Sequence, residues 1–243
     1  IANAGAIPPL MKLLDSRDTS TATQAAEALK TLAEIEDNMT KIVSAGALKL
    51  LVRLLGCWDS ASRIRAAEMM VNLAKNDTNK IAIERAGAVR PLVELLSSVD
   101  VKTTAYAAEA LTILAGNINI RTVIANAGAI PPLVKLLDSR DTSTATQAAE
   151  ALKSLAEIDD NATKIVSAGA LKPLVRFLES QDDALRTRAA EMMVNLAKND
   201  NNKNAIERAG AVRPLVELLS SVDVRTTAHA AEDQYQDCDC KCR

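Results

Sequence analysis

The 243-residue chain has a net charge of −2 and only 2% aromatic residues. That balance speaks against the basic excess of a nucleic-acid binder and against a compact core centred on bulky rings. No apolar run is long enough to span a bilayer, no polybasic patch suggests a membrane surface, and no signal peptide precedes the first repeat.

The apolar mass is mainly Ala, Leu, Val and Ile, which suits a narrow seam between helices in an elongated body. Cys57 is the only cysteine ahead of a cluster at Cys238, Cys240 and Cys242, so no disulfide framework staples the fold. A reducing, intracellular location, cytoplasmic or nuclear, is expected.

Taken in chain order, the sequence repeats itself. IANAGAIPPL begins at Ile1 and recurs at Ile124, and the block between divides into thirds. Units open at Ile1, Ile42, Ile83, Ile124, Ile165 and Ile206, a period of 41 residues. Six of the eight glycines share one place in the unit, and all seven prolines fall three or four residues later. A glycine in a left-handed cap ends a short helix, and proline is tolerated in the first turn of the next. Each unit therefore reads as a short helix, a sharp Ala-Gly turn and a second helix, such as 7–14. An aspartate then recurs at Asp18, Asp59, Asp100, Asp141, Asp182 and Asp223, the expected N-cap of a longer third helix. In the first unit that helix is predicted over 20–35, with Ala25, Ala28, Leu29 and Leu32 facing the core.

The pattern I-x-x-A-G-A-I-P-P-L-V-x-L-L followed by A-A-x-A-L-x-x-L-A resembles the armadillo repeat family over essentially residues 1–232. Its wording is most similar to plant and protist armadillo proteins, including those attached to U-box ubiquitin ligases. The resemblance implies an all-α, right-handed α-solenoid of about six repeats, with three helices in each full repeat. The expected array comprises units 1–41, 42–82, 83–123, 124–164, 165–205 and an incomplete 206–232, followed by an atypical tail over 233–243. Neither end carries an obvious polar cap, so end-to-end self-association is a further expectation. The tail cysteines Cys238, Cys240 and Cys242 are weak candidates for a soft metal, since alternate spacing without a fourth ligand is a poor zinc signature. His229 occupies a place filled elsewhere by Gln24, Arg65, Tyr106, Gln147 and Arg188 and reads as surface variation. No catalytic constellation or cofactor motif is present, so a non-enzymatic role without cofactors is expected.

The resemblance further implies that the third helices line a concave groove that receives extended protein segments. Helical spacing groups places 24, 27 and 31 on one face beside the core positions. Carried through the units, place 27 is Glu27, Glu68, Glu109, Glu150, Glu191 and Glu232, an unbroken row of glutamates. In importin-alpha-type receptors the matching residue is typically Trp, with Asn four residues later. Here Asn stands only at Asn72 and Asn195, which counts against a nuclear transport receptor. Charges three residues away are expected to answer most of the row: Lys30 for Glu27, Arg65 for Glu68, Lys153 for Glu150 and Arg188 for Glu191. Glu109 lacks such a partner and lies between Tyr106 and Ile113, a setting for a Lys or Arg side chain.

A second candidate is Trp58, the only tryptophan, in the loop between second and third helices. It would anchor a partner if exposed; folding back over the solenoid edge is the favoured alternative. The expected function is a scaffold or adaptor binding an extended, basic protein segment. The alternatives are the substrate-recognition region of a ubiquitin ligase, a transport receptor and a structural spacer.

Overall fold

The computed structural model describes residues 5–217. It opens on a helix pair, α1 (Ile7–Leu14) and α2 (Thr19–Leu32). Four triads follow: α3 (Glu36–Ser44), α4 (Ala47–Leu55) and α5 (Ser60–Ala74); α6 (Asp77–Arg85), α7 (Val89–Leu95) and α8 (Val101–Ala115); α9 (Ile118–Asn126), α10 (Ile130–Leu136) and α11 (Thr142–Leu155); α12 (Asp159–Ser167), α13 (Leu171–Leu178) and α14 (Asp183–Ala197). Helix α15 (Asp200–Arg208) and a helical run over 212–217 complete the described chain. All the regular structure among the described residues is helical, and the helices stack as an α-solenoid. The counted sequence period opens inside a first helix, since Ile42 lies within α3.

Local chemistry sets the helix ends. The six phased glycines all adopt positive φ, from 75° at Gly5 to 91° at Gly169, and a Cβ added at any of them would meet no neighbour. Glycine is thus required by the backbone angle rather than by lack of space. Each described long helix is capped by its aspartate: Asp18, Asp59, Asp100 and Asp141 accept from the N–H of Thr21, Ser62, Thr103 and Thr144 at 2.9, 2.7, 2.8 and 2.9 Å. Asp182 accepts from Ala184 and Leu185. Asp223 lies outside the described residues.

The first long helix is shorter than the predicted 20–35. Ala33 closes it by donating to the Leu29 and Lys30 carbonyls, and Ile35 is extended and exposed as the cap residue of α3. Ala25 and Leu29 are buried as expected, together with Ala22, Ala26 and Ala33, whereas Ala28 and Leu32 are only half-buried. The equivalents in later repeats, such as Met69 and Leu73 or Ala110 and Leu114, are fully buried. Each later long helix packs on a preceding one, and α2 has no such neighbour among the described residues.

The capping aspartates make stability acid-sensitive. The Thr103 hydroxyl holds the Asp100 carboxyl below its ordinary pKa against an opposing push from burial, and the Thr144 hydroxyl and N–H do the same for Asp141. A carboxylate depressed on folding contributes its full stability above the unfolded pKa of about 4, and that contribution is lost as pH falls through the folded value. The urea midpoint should therefore stay level from neutral pH to about 5 and drop below about 4. Because Asn caps about as well as Asp but does not titrate, Asp100→Asn with Asp141→Asn should keep the neutral-pH midpoint and flatten part of the acid loss. An unchanged acid limb would refute this role for the caps.

Candidate binding face on the long helices

Helices α2, α5, α8, α11 and α14 pack side by side in that order. Their places 27 bring Glu27, Glu68, Glu109, Glu150 and Glu191 into one row, while Glu232 lies outside the described residues. The row is not a uniform strip of negative charge. Lys30 Nζ bridges Glu27 at 2.8 Å and Glu68 of the next repeat at 3.1 Å. Arg65 closes the ring, reaching Glu27 at 3.0 Å and Glu68 at 2.8 Å. Burial pushes the Glu68 carboxyl up, but hydrogen bonds from Lys30 and Arg65 outweigh it and hold the pKa below the ordinary value.

The same residue types recur between α11 and α14. Lys153 Nζ lies 2.7 Å from Glu150 and 3.0 Å from Glu191, and these bonds raise its pKa against the opposing push of burial. Three of the four expected local pairs form. The fourth does not: Arg188 reaches back to Glu150 in the preceding repeat, and Lys153 answers Glu191. The Glu150 side chain is 26% exposed and that of Glu191 51%, so solvent screens the attraction of Arg188 to Glu150 less. Lys153, Arg188 and Glu191 also line a shallow depression of about 460 Å³ with Asp183, Ala184 and Thr187.

Glu109 stands apart. It is half-buried on α8 and has no ion pair or hydrogen bond among the described residues. The reason lies in two substitutions. Where Lys30 and Lys153 supply a cation, α8 has Thr112; where Arg65 and Arg188 supply one from the next helix, α11 has Gln147. Thr112 instead donates to the Ala108 and Gln147 carbonyls at 2.8 and 3.0 Å.

Tyr106 leans the other way, its hydroxyl donating to Glu68 at 3.3 Å. Burial, then the neighbouring Glu68 charge, raises the pKa of this phenol. Ile113 is half-buried against the core. Asn72 accepts from Lys75 at 3.3 Å. Asn195 accepts from Lys198 at 2.8 Å, and its amide donates to the Lys153 carbonyl at 3.5 Å.

Trp58 corrects an expectation. It does not fold over the solenoid edge; it is 84% exposed. Arg63 braces its loop by donating to the carbonyls of Cys57 and Trp58 at 2.9 and 2.8 Å. Cys238, Cys240, Cys242 and His229 lie outside the described residues. Among the described residues no group of three or more His, Cys, Asp or Glu is placed to hold a metal, and no helix is long and apolar enough to cross a membrane.

Sequence reasoning missed a groove of about 690 Å³ on the other helices, lined by Val43, Leu48, Lys49, Ile81, Ala82 and Arg85 among others. Its one sequence signal is Ile81, an aliphatic residue on the solvent side of α6.

The Armadillo/beta-catenin-like repeat model matches residues 1–34, 76–116, 117–157 and 159–198, more than half the chain. The chain belongs to the armadillo repeat family. Solved structures agree. An engineered protein superposes with a TM-score of 0.83 at 35% identity, covering 93% of this chain and 94% of its own. Computationally designed armadillo repeat proteins for modular peptide recognition give 0.83 at 30% identity, covering 88% and 92%. A designed armadillo repeat protein in complex with the peptide (KR)4 gives 0.82 at 30%, covering 93% and 98%. A search of curated protein sequences found no match. This armadillo array thus presents a ladder of long helices whose side chains alternate between ion-paired rungs and one unpaired acid.

Proposed function

We propose that this armadillo protein is an intracellular, non-catalytic scaffold that holds an extended, basic protein segment along the face made by α2, α5, α8, α11 and α14. Glu109 is the observation that carries the reading. It is the one glutamate of the described row with no cation beside it, and the half-buried Ile113, one turn on, supplies apolar surface for the stem of a Lys or Arg, while Tyr106 turns its hydroxyl to Glu68. A cation from a partner would complete the charge balance that Lys30, Arg65, Lys153 and Arg188 already provide elsewhere. The designed relative that holds (KR)4 supports basic residues as ligands of this architecture. The free thiol at Cys57 fits a reducing compartment.

The test is binding of fluorescein-labelled (KR)4, followed by anisotropy at low salt. A charge-assisted hydrogen bond contributes about 1.5–3 kcal/mol, so Glu109→Gln should weaken binding roughly tenfold or more. Glu191→Gln, whose carboxylate Lys153 already satisfies, should change it by less than about threefold. Equal losses at the two sites, or unaltered affinity for Glu109→Gln with helicity intact, would overturn the proposal.

A further inference from the structure

The loops joining second to third helices carry a second pattern, independent of the glutamate row. Their apex residues, 41 apart, are Arg17, Trp58, Val99, Arg140 and Gln181. The loops share one frame. The N–H of the capping aspartate donates to a serine hydroxyl two residues earlier at Asp18, Asp100, Asp141 and Asp182, at 3.1, 3.2, 3.2 and 3.1 Å. In the second loop Cys57 replaces that serine, and the Arg63 guanidinium grips both neighbouring carbonyls instead. The apex residue is held outward in every case.

Val99 is fully exposed, Trp58 is 84% exposed and Val101, at the start of α8, is 58% exposed. Single exposed apolar residues need no explanation. Trp58 and Val99 on adjacent loops of one edge, with Val101 two residues beyond Val99, form a patch of the kind that marks an interface.

The ends of the patch indicate what covers it. Arg17 and Arg140 are exposed, and neither makes a hydrogen bond or ion pair among the described residues. The nearby carboxylates of Asp18, Asp59, Asp100 and Asp141 are turned onto the N–H groups of their own helices. Over its first four loops the edge therefore reads cation, apolar, apolar, cation at one residue per repeat, and the neutral, exposed Gln181 follows.

We infer that this edge is a second docking surface, for an extended protein segment bearing two apolar side chains between two acidic ones. Neighbouring helices lie about 10 Å apart, and an extended chain rises about 3.3 Å per residue, so each repeat spans about three ligand residues. The acids then fall about nine residues apart, with the apolar pair at the intermediate thirds.

Trp58 reports directly on the site, because no other tryptophan contributes to the emission. The probe is a ten-residue serine peptide with Glu at its first and last places and Leu at its fourth and seventh, titrated into the full chain. Trp58 emission should move to shorter wavelength and saturate. Val99→Asp, at a fully exposed site that leaves folding untouched, should weaken the titration roughly tenfold or more. Arg17→Glu with Arg140→Glu should weaken it similarly, and a peptide with Lys in place of the two Glu should restore binding to that variant. Glu109→Gln should leave the titration unchanged, and Val99→Asp should leave (KR)4 binding unchanged, which separates this surface from the long-helix face.

The inference is overturned if emission does not respond up to millimolar peptide. It is also overturned if a peptide with the two Leu adjacent binds equally well. A response to phosphatidylserine vesicles without one to the peptide would overturn it too, and would assign the edge to membranes.

Discussion

Leu111→Ala is expected to lower the unfolding free energy by about 2–5 kcal/mol, the range for emptying a fully buried leucine site. Leu111 is completely inaccessible on α8, which packs on α5 at one side and α11 at the other. In a repeat array each unit touches only its neighbours, so stability is a sum of unit and interface contributions. A cavity in α8 weakens both interfaces of a central unit. The same change at Leu29 in α2, also fully buried, weakens one long-helix interface among the described residues. Urea unfolding followed by circular dichroism distinguishes the two. Leu111→Ala should shift the main transition, with a lower midpoint or a split into two steps as the halves uncouple. Leu29→Ala should add an early, small loss and leave most of the main transition in place. A loss below about 1 kcal/mol for Leu111→Ala would mean that the surrounding Ala-rich seam collapses onto the gap.

Much of this fold is legible in the sequence because its punctuation is local. The glycine at Gly46 or Gly128 is required by its own φ, and Asp59 or Asp100 meets an N–H three residues away. Such features need no knowledge of the neighbours, and their strict period reveals the array. The membership of the long-helix face is legible for the same reason, since i,i+3 and i,i+4 spacing determines which residues share it.

What escapes is the chemistry that crosses repeats. Arg188 satisfies Glu150 on the preceding helix rather than Glu191 on its own, because a guanidinium stem spans adjacent helices as readily as one turn. Local partners were expected to answer most of the glutamate row, and the structure adds cations from adjacent helices to them. Trp58 shows the converse limit: it stands exposed on a loop that Arg63 braces through two carbonyls, five and six residues away. The half-burial of Ala28 and Leu32 depends on what packs beyond α2, which no pattern within the helix encodes.

A set of buried asparagines also went unread, and it supports the second large effect. Asn79 is buried, and its amide donates to the Leu73 carbonyl near the end of α5 at 3.1 Å. Asn38, Asn161 and Asn202 do the same for Leu32, Leu155 and Leu196 at 2.9, 3.2 and 3.0 Å. Each supplies a donor to one of the last carbonyls of a long helix, groups that the helix itself cannot satisfy. Asn79→Ile should therefore cost about 1–3 kcal/mol, the penalty of stranding a buried acceptor.

The third unit shows how the protein lives without this asparagine. There the place is taken by Ile120, and Arg121 Nε donates to the Ala115 carbonyl at 2.7 Å, while the Asn117 N–H reaches that of Leu114 at 3.0 Å. Lys80 holds the place of Arg121 one repeat earlier and pairs with Asp77 at 2.7 Å. Lys80→Arg alone should be close to neutral, because Asp77 is largely solvated and such pairs contribute little. Combined with Asn79→Ile it brings in a donor for the Ala74 carbonyl, the counterpart of Ala115, and not for the Leu73 carbonyl that Asn79 leaves. The two changes should therefore add to within about 0.5 kcal/mol, measured as a coupling energy from urea midpoints at fixed pH. A larger favourable coupling would show that the guanidinium takes over the Leu73 carbonyl as well.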